Sequence, residues 1–353
     1  MRRLGGRQRA RCADSTYRCV TRAGAVSLGC RQDPWPARAG LPYREGPAPM
    51  ITATSWSARR AVTVLALLCS AVLAVALISS SPADAKSHKP HKHRTTVAWA
   101  PADTAQIHPG TMMYTDGAQC TGNFVFTDGA GNVYVGYAAH CAGTGAATDT
   151  DGCLSNSLPL GTKVTFNEGG SLISEGTQVG SGTLVYSSWD TMDKLGTTDA
   201  NTCAYNDFAL VKVAAGDVAK VNPSVPFWGG PVGIDTDGTA AGDRLYTYGN
   251  SSLRAGLEPL SPHTGISLGD DPADGGWSHP LYTVTPGIPG DSGSGFLSAD
   301  GSAVGVLSTL GLAPLPASNN IGDLAHELAF AQQHSGISGL QLVNGTEPFS
   351  PIL

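Results

Sequence analysis

Gly290-Asp291-Ser292-Gly293 decides the reading of this chain, because Ala138-Ala139-His140-Cys141 and Asn206-Asp207-Phe208-Ala209-Leu210 precede it in that order. A serine hydroxyl is a poor nucleophile at neutral pH and needs a base to take its proton. An imidazole held in one tautomer by a carboxylate is such a base. Ser292, His140 and Asp207 are therefore the candidate nucleophile, base and orienter. Each segment taken singly has a plain structural reading: a turn at Ser292, a histidine beside a structural cysteine, an ordinary strand entry at Asp207. Their order, with room for a small β-unit between them, gives them joint meaning. Asp190, Asp193 and Asp199 compete as orienters. Asp207 is preferred because it heads the apolar run 208–213, which as a strand would hold a carboxylate rigidly.

Working outward, residues 123–126 and 133–137 are β-rich runs joined by Thr127-Asp128-Gly129-Ala130-Gly131-Asn132, which predicts a hairpin ending at His140. Further short strands are expected at 163–166, 182–186, 208–213, 244–248, 281–284, 294–297 and 303–309. Many short strands spaced by Gly, Asp, Asn and Pro argue for antiparallel barrels or sandwiches. Asn222-Pro223-Ser224-Val225-Pro226 is the expected crossing between two halves, since prolines are excluded from central strands. Ile321, Leu324, Leu328 and Ala331 are at helical spacing, predicting a helix over 321–334 capped by Asn320, with His326 and His334 on its solvent face.

The three segments together, in the order His, Asp, Ser, resemble the chymotrypsin/trypsin-like serine proteases, in particular their secreted bacterial members, over residues 106–353. Hydrolases of the α/β type run Ser, acid, His instead. The resemblance implies an all-β fold of two six-stranded antiparallel β-barrels of the chymotrypsin type, about 106–222 and 223–353, with a C-terminal α-helix. It further implies a monomeric serine endopeptidase that cleaves proteins or peptides through an acyl-enzyme, with no cofactor and no metal. A catalytically idle binding module of the same fold and an esterase using the same triad are the alternatives.

On that resemblance, the N–H groups of Gly290 and Ser292 form the oxyanion hole, and a side chain at 290 would hinder the backbone geometry required. Ser294 stands where the family usually has a second glycine. In activated zymogens of the family the aspartate before the serine pairs with a freed N-terminal amine. No such start precedes His140, so an internal cation must pair with Asp291, Arg254 first and Arg244 second. The primary pocket would have Pro286 at its base, six residues before Ser292, and Ser308 and Leu310 on its edge strand. A pocket base without an acid disfavours Lys and Arg. Leu310 leaves little room for large rings, and Leu307 replaces the histidine of glutamate-specific relatives. Small or medium apolar residues are the expected preference.

Eight cysteines are present, of which Cys120, Cys141, Cys153 and Cys203 lie in the matched region. Four allow three pairings. The resemblance implies Cys120 with Cys141, which leaves Cys153 to Cys203.

The net charge of -6 hides an asymmetry. Residues 1–49 are Arg-rich, whereas 106–353 carry only Lys163, Lys194, Lys212, Lys220, Arg244 and Arg254 against more than twenty carboxylates. A surface so acidic repels phosphate backbones and disfavours nucleic-acid binding. Met50, Arg59-Arg60, the apolar run 61–78 and Ala83-Asp84-Ala85 read as a secretory signal over 50–85. Residues 1–49 then read as a non-native or disordered extension, with a signal anchor behind a genuine extension as the alternative. A secreted, extracellular protein with no stable membrane anchor after cleavage is expected. Residues 86–105 begin as a His/Lys-rich leader, in which His88, His91 and His93 lack a Cys or carboxylate to complete a metal site. Asp149-Thr150-Asp151-Gly152 and Asp235-Thr236-Asp237-Gly238 read as turns in preference to calcium loops.

Overall fold

Short apolar runs bounded by turn residues become strands here, and the strands assemble into two antiparallel units. The computed structural model describes residues 97–145, 149–311 and 318–351. The extension 1–49, the signal-like segment 50–85 and the His/Lys-rich part of the leader lie outside the described residues.

The first unit contains β1 (Met112–Thr115), β2 (Ala118–Thr121), β3 (Val125–Thr127), β4 (Val133–Tyr137), β5 (Lys163–Glu168), β6 (Thr177–Ser187) and β7 (Ala209–Val213). Its order is β3-β4-β7-β6-β5-β1-β2. Because β2 and β3 are two halves of one bent segment, the two ends of that order are joined through the chain and the sheet curls back on itself. Main-chain bonds carry both ladders into the bend: the Gly122 N–H donates to the Thr111 carbonyl at 2.9 Å, and the Asn123 N–H to the Gly136 carbonyl at 2.8 Å.

The second unit is a closed barrel of β8 (Arg244–Tyr248), β9 (Pro262–Ser267), β10 (Ser278–Thr283), β11 (Gly295–Leu297), β12 (Ala303–Gly311) and β13 (Ser318–Asp323), in the order β10-β13-β12-β11-β8-β9. Helices α1 (Ser188–Leu195) and α2 (Ala200–Tyr205) stand between β6 and β7, and α3 (Leu324–His334) follows β13. The short β14 (Gln341–Leu342) then pairs with β3, so the chain's last strand joins the first unit. Residues 222–226 lie between the units, outside any strand. The fold is all-β with a C-terminal helix, as expected. Among the described residues no helix is long and apolar enough to cross a membrane.

Phe208, beside Asp207, is fully buried, packed edge-on against Phe126 at 5.4 Å between ring centroids and near Tyr186 at 6.3 Å. Burial of such a ring is worth about 2–3 kcal/mol. That anchorage holds the start of β7, and with it Asp207, in place. Leu245, Leu281, Phe296, Val304, Leu307 and Ile321 form the core of the second barrel. Val97 and Trp99 pack on the first core, and the Ala100 N–H donates to the Val221 carbonyl at 2.8 Å, so core contacts begin before residue 106.

The helix expected over 321–334 starts three residues later. Ile321 belongs to β13, paired with Leu307 and His279, and its side chain fills the barrel core. Asp323, not Asn320, is the cap, accepting the His326 N–H at 2.7 Å. His326 is exposed, as expected, and its Nδ1 bonds to Asp323 Oδ1 at 2.7 Å with the ring tilted against Trp277.

Candidate active site

His140 sits on a tight turn, Ala139–Ala142, directly after β4. The turn is pinned by the Cys120–Cys141 disulfide to β2, and a second disulfide joins Cys153 to Cys203. Asp207 grips this histidine twice: Oδ1 accepts the His140 main-chain N–H at 2.8 Å and Oδ2 meets Nδ1 at 2.6 Å. The Ser308 hydroxyl donates to the same Oδ2 at 2.6 Å. A carboxylate accepts only, so Nδ1 is the donor and Nε2 keeps its lone pair. Burial works against the charged form of both partners, but their mutual attraction and hydrogen bonds outweigh it. The His140 pKa is raised above its ordinary value, and that of Asp207 is lowered.

The rival carboxylates are engaged elsewhere. Asp190 pairs with Lys194 at 2.6 Å, Asp199 caps α2 through the Thr202 N–H at 2.8 Å, and Asp193 is exposed.

Behind Asp207 stands a residue that the pattern of the chain did not single out. Glu327, on α3, is 0% exposed, and its Oε1 accepts the Asp207 main-chain N–H at 3.0 Å. Burial, and then the charge of Asp207, hold its carboxyl well above the usual range. No motif marks it; helical spacing alone placed it on α3, without a face.

Ser292 lies on the turn between β10 and β11. Its carbonyl accepts the Thr121 N–H at 2.8 Å, and the next N–H, that of Gly293, donates to the Leu307 carbonyl at 2.7 Å, one residue before Ser308. Gly293 has φ +88°, and a Cβ there would come within 2.6 Å of the Thr121 carbonyl and 2.8 Å of the Ala138 nitrogen. This close approach sets the Ser292 turn against the stretch that leads into His140. Among the described residues Ser292 Oγ makes no hydrogen bond.

Gly290 has φ +99°, and a Cβ there would fall 2.1 Å from Gln119 Oε1. Its carbonyl accepts from Thr121 Oγ1 at 2.7 Å and Gln119 Nε2 at 3.0 Å, two β2 side chains that no motif announced. The N–H groups of Gly290 and Ser292 are unbonded among the described residues. Asp291, 1% exposed, is clamped by both terminal nitrogens of Arg254, Nη2 to Oδ2 at 2.6 Å, and also accepts the Ile288 N–H at 3.0 Å. Arg254 is thus the internal cation, and Arg244 is exposed on β8.

Of the expected pocket residues, Pro286 is half-buried, and Leu310 is 52% exposed on β12 opposite Asn319. The Ser308 side chain is turned to Asp207. The two Asp-Gly stretches hold turns: Asp151 Oδ1 accepts the Cys153 N–H, and Asp235 Oδ1 accepts those of Asp237 and Gly238.

A bent β-sheet unit carries the His140–Asp207 pair, and the closed barrel carries the Gly-Asp-Ser-Gly turn that packs against Thr121 and Ala138. No family model and no curated protein matches the chain. Solved structures similar to it are bacterial serine proteases. Protease A of Thermobifida fusca is 17% identical, with 68% of this chain and 99% of that one covered at a TM-score of 0.41. A Nocardiopsis protease is 18% identical, with 67% and 98% covered at 0.38. A Glu endopeptidase is 16% identical, with 66% and 94% covered at 0.41. Likeness at this level assigns no activity to the chain.

Proposed function

We propose that this chain is a secreted serine endopeptidase with His140, Asp207 and Ser292 as its triad. The observation that carries the reading is the doubly bonded His140–Asp207 pair, its Nδ1 contact 2.6 Å long, set beside the turn that bears Ser292. Ser292 Oγ attacks the scissile carbonyl while His140 Nε2 takes its proton and returns it to the leaving amine. Asp207 holds the tautomer and stabilises the imidazolium. The free N–H groups of Gly290 and Ser292 receive the oxyanion, each donor being worth on the order of 3 kcal/mol of transition-state stabilisation. Water then releases the acyl group by the same steps in reverse.

Pro286 at the pocket base offers no charge to a basic side chain, and Leu310 narrows the rim, so cleavage follows small or medium apolar residues. The segment 50–85 directs export and is removed, leaving a monomer that acts outside the cell on protein or peptide substrates.

The test is turnover of peptide and ester substrates by protein recovered from the culture medium. Peptide hydrolysis that disappears in Ser292→Ala supports an endopeptidase; ester hydrolysis alone, or neither, favours the esterase or an idle binding module. A mature N-terminus upstream of residue 85, read by mass spectrometry, would overturn the cleavage at Ala85.

A further inference from the structure

We propose that Ser251 is a positioning residue of the oxyanion hole: its buried hydroxyl holds the Pro289 carbonyl and so keeps the Gly290 N–H turned toward the substrate. The proposal rests on the protease reading above. Ser251 follows β8 and is 0% exposed. Its Oγ meets the Pro289 carbonyl at 2.5 Å and the Leu253 N–H at 3.1 Å. A hydroxyl has one proton. The Leu253 N–H is itself a donor, so Ser251 accepts from Leu253 and gives its proton to Pro289.

Carbonyl and N–H point in opposite directions across a trans peptide. Fixing the Pro289 carbonyl on Ser251 therefore fixes the Gly290 N–H on the opposite side. The following peptides are tied down independently. The Gly290 carbonyl has Thr121 and Gln119, the Asp291 N–H donates to Ile288 at 2.9 Å, and the Asp291 carbonyl accepts from Ser294 at 3.0 Å. Among the described residues the 289–290 peptide is held by Ser251 alone.

This peptide can rotate because Gly290 has no side chain and accepts backbone angles closed to other residues, and Pro289 is exposed. Rotated by half a turn, it would put a carbonyl oxygen where the oxyanion must form. That state removes one donor and adds a repulsive acceptor, so only the unrotated population is competent.

The test compares wild type, Ser251→Ala and Ser251→Cys in kcat, KM and affinity for a peptidyl trifluoromethyl ketone, whose serine adduct carries an oxyanion. For Ser251→Ala we expect kcat and ketone affinity to fall together, by about 10- to 100-fold, with KM within about twofold. Ser251→Cys, nearly isosteric with a weak donor, falls between, and it carries the test should the alanine variant not fold. Wild-type kcat and ketone affinity in both variants would overturn the proposal. A loss of folding stability with kcat unchanged would overturn it as well, by reducing Ser251 to a cap of the 252–254 turn. If wild type neither turns over peptide nor binds the ketone, the protease reading fails instead. A crystal structure of Ser251→Ala then still decides the positioning role: a rotated 289–290 peptide supports it and an unrotated one overturns it.

Discussion

Glu327 Oε1 accepts the main-chain N–H of Asp207 at 3.0 Å, so the C-terminal helix holds the acid that holds His140. Burial and the nearby charge of Asp207 favour the protonated form of the Glu327 carboxyl. Tyr186, Asp207 and Asp323 are the titratable groups that couple to it. Its folded pKa lies well above the ordinary value of 4.5. Between those two values the folded state binds a proton that the unfolded state has lost, so stability falls as pH rises through this window. Glu327→Gln keeps the acceptor and abolishes the titration. Thermal unfolding across pH should show the variant gaining on wild type progressively above about pH 4.5. A pH-independent difference would mean that Glu327 does not titrate in this way.

Arg254 and Asp291 make the opposite case, a buried ion pair in which Arg254 supplies the charge that faces the Asp291 carboxylate and the Ile288 N–H adds one hydrogen bond. With Arg254→Ala, Asp291 is left charged and buried beneath the oxyanion turn. The loss should be about 3–5 kcal/mol, readable by urea unfolding, and turnover should fall with it. Arg254→Lys should recover only part, since an ammonium cannot reproduce the two-pronged contact. An alanine variant as stable as wild type would show that the clamp carries no weight.

Because Asp207 raises the His140 pKa above 6.5, the acid limb of kcat/KM should lie above that value. Protonated His140 cannot act as base, so activity falls as pH drops through the limb. Asp207→Asn should move the limb downward and cut kcat severely through the wrong tautomer. An acid limb unmoved in that variant would separate it from His140.

The pocket expectation is open to a peptide-library profile. Ala, Val or Leu should be preferred at the cleaved position, and Lys or Arg rejected, because desolvating an unpaired cation costs several kcal/mol. Leu310→Gly should raise turnover after Phe and Tyr by roughly tenfold, the range that a few methylenes of pocket shape can command. Dominant cleavage after basic residues would mean that Pro286 is not the pocket base.

Much of the fold was legible because short β-rich apolar runs and the turn residues that bound them are local signals. The hairpin ending at His140 and the run headed by Asp207 are both visible in the chain. Ile321 misled because a residue at helical spacing can equally close a barrel, and only pairing with β10 and β12 decides between them. Helices α1 and α2 were hidden in a polar stretch whose caps, Ser187 and Asp199, resemble ordinary turn residues. In the site, His140, Asp207, Ser292 and the glycines stand in short motifs. Gln119, Thr121, Ser251 and Glu327 do not, since each acts on a residue more than thirty positions away and only tertiary contact gives it meaning. Spacing alone left three cysteine pairings open, and the folded chain joins Cys120 to Cys141 and Cys153 to Cys203.

If Ser292 is a nucleophile activated by His140, covalent labelling reads it. Processed protein treated with a fluorophosphonate should take up one phosphonyl group, found on the peptide containing Ser292. In His140→Ala, labelling should slow by orders of magnitude while the fold is retained. No adduct on Ser292 in folded wild-type protein, or labelling equally fast without His140, would rule out activation of Ser292 by His140.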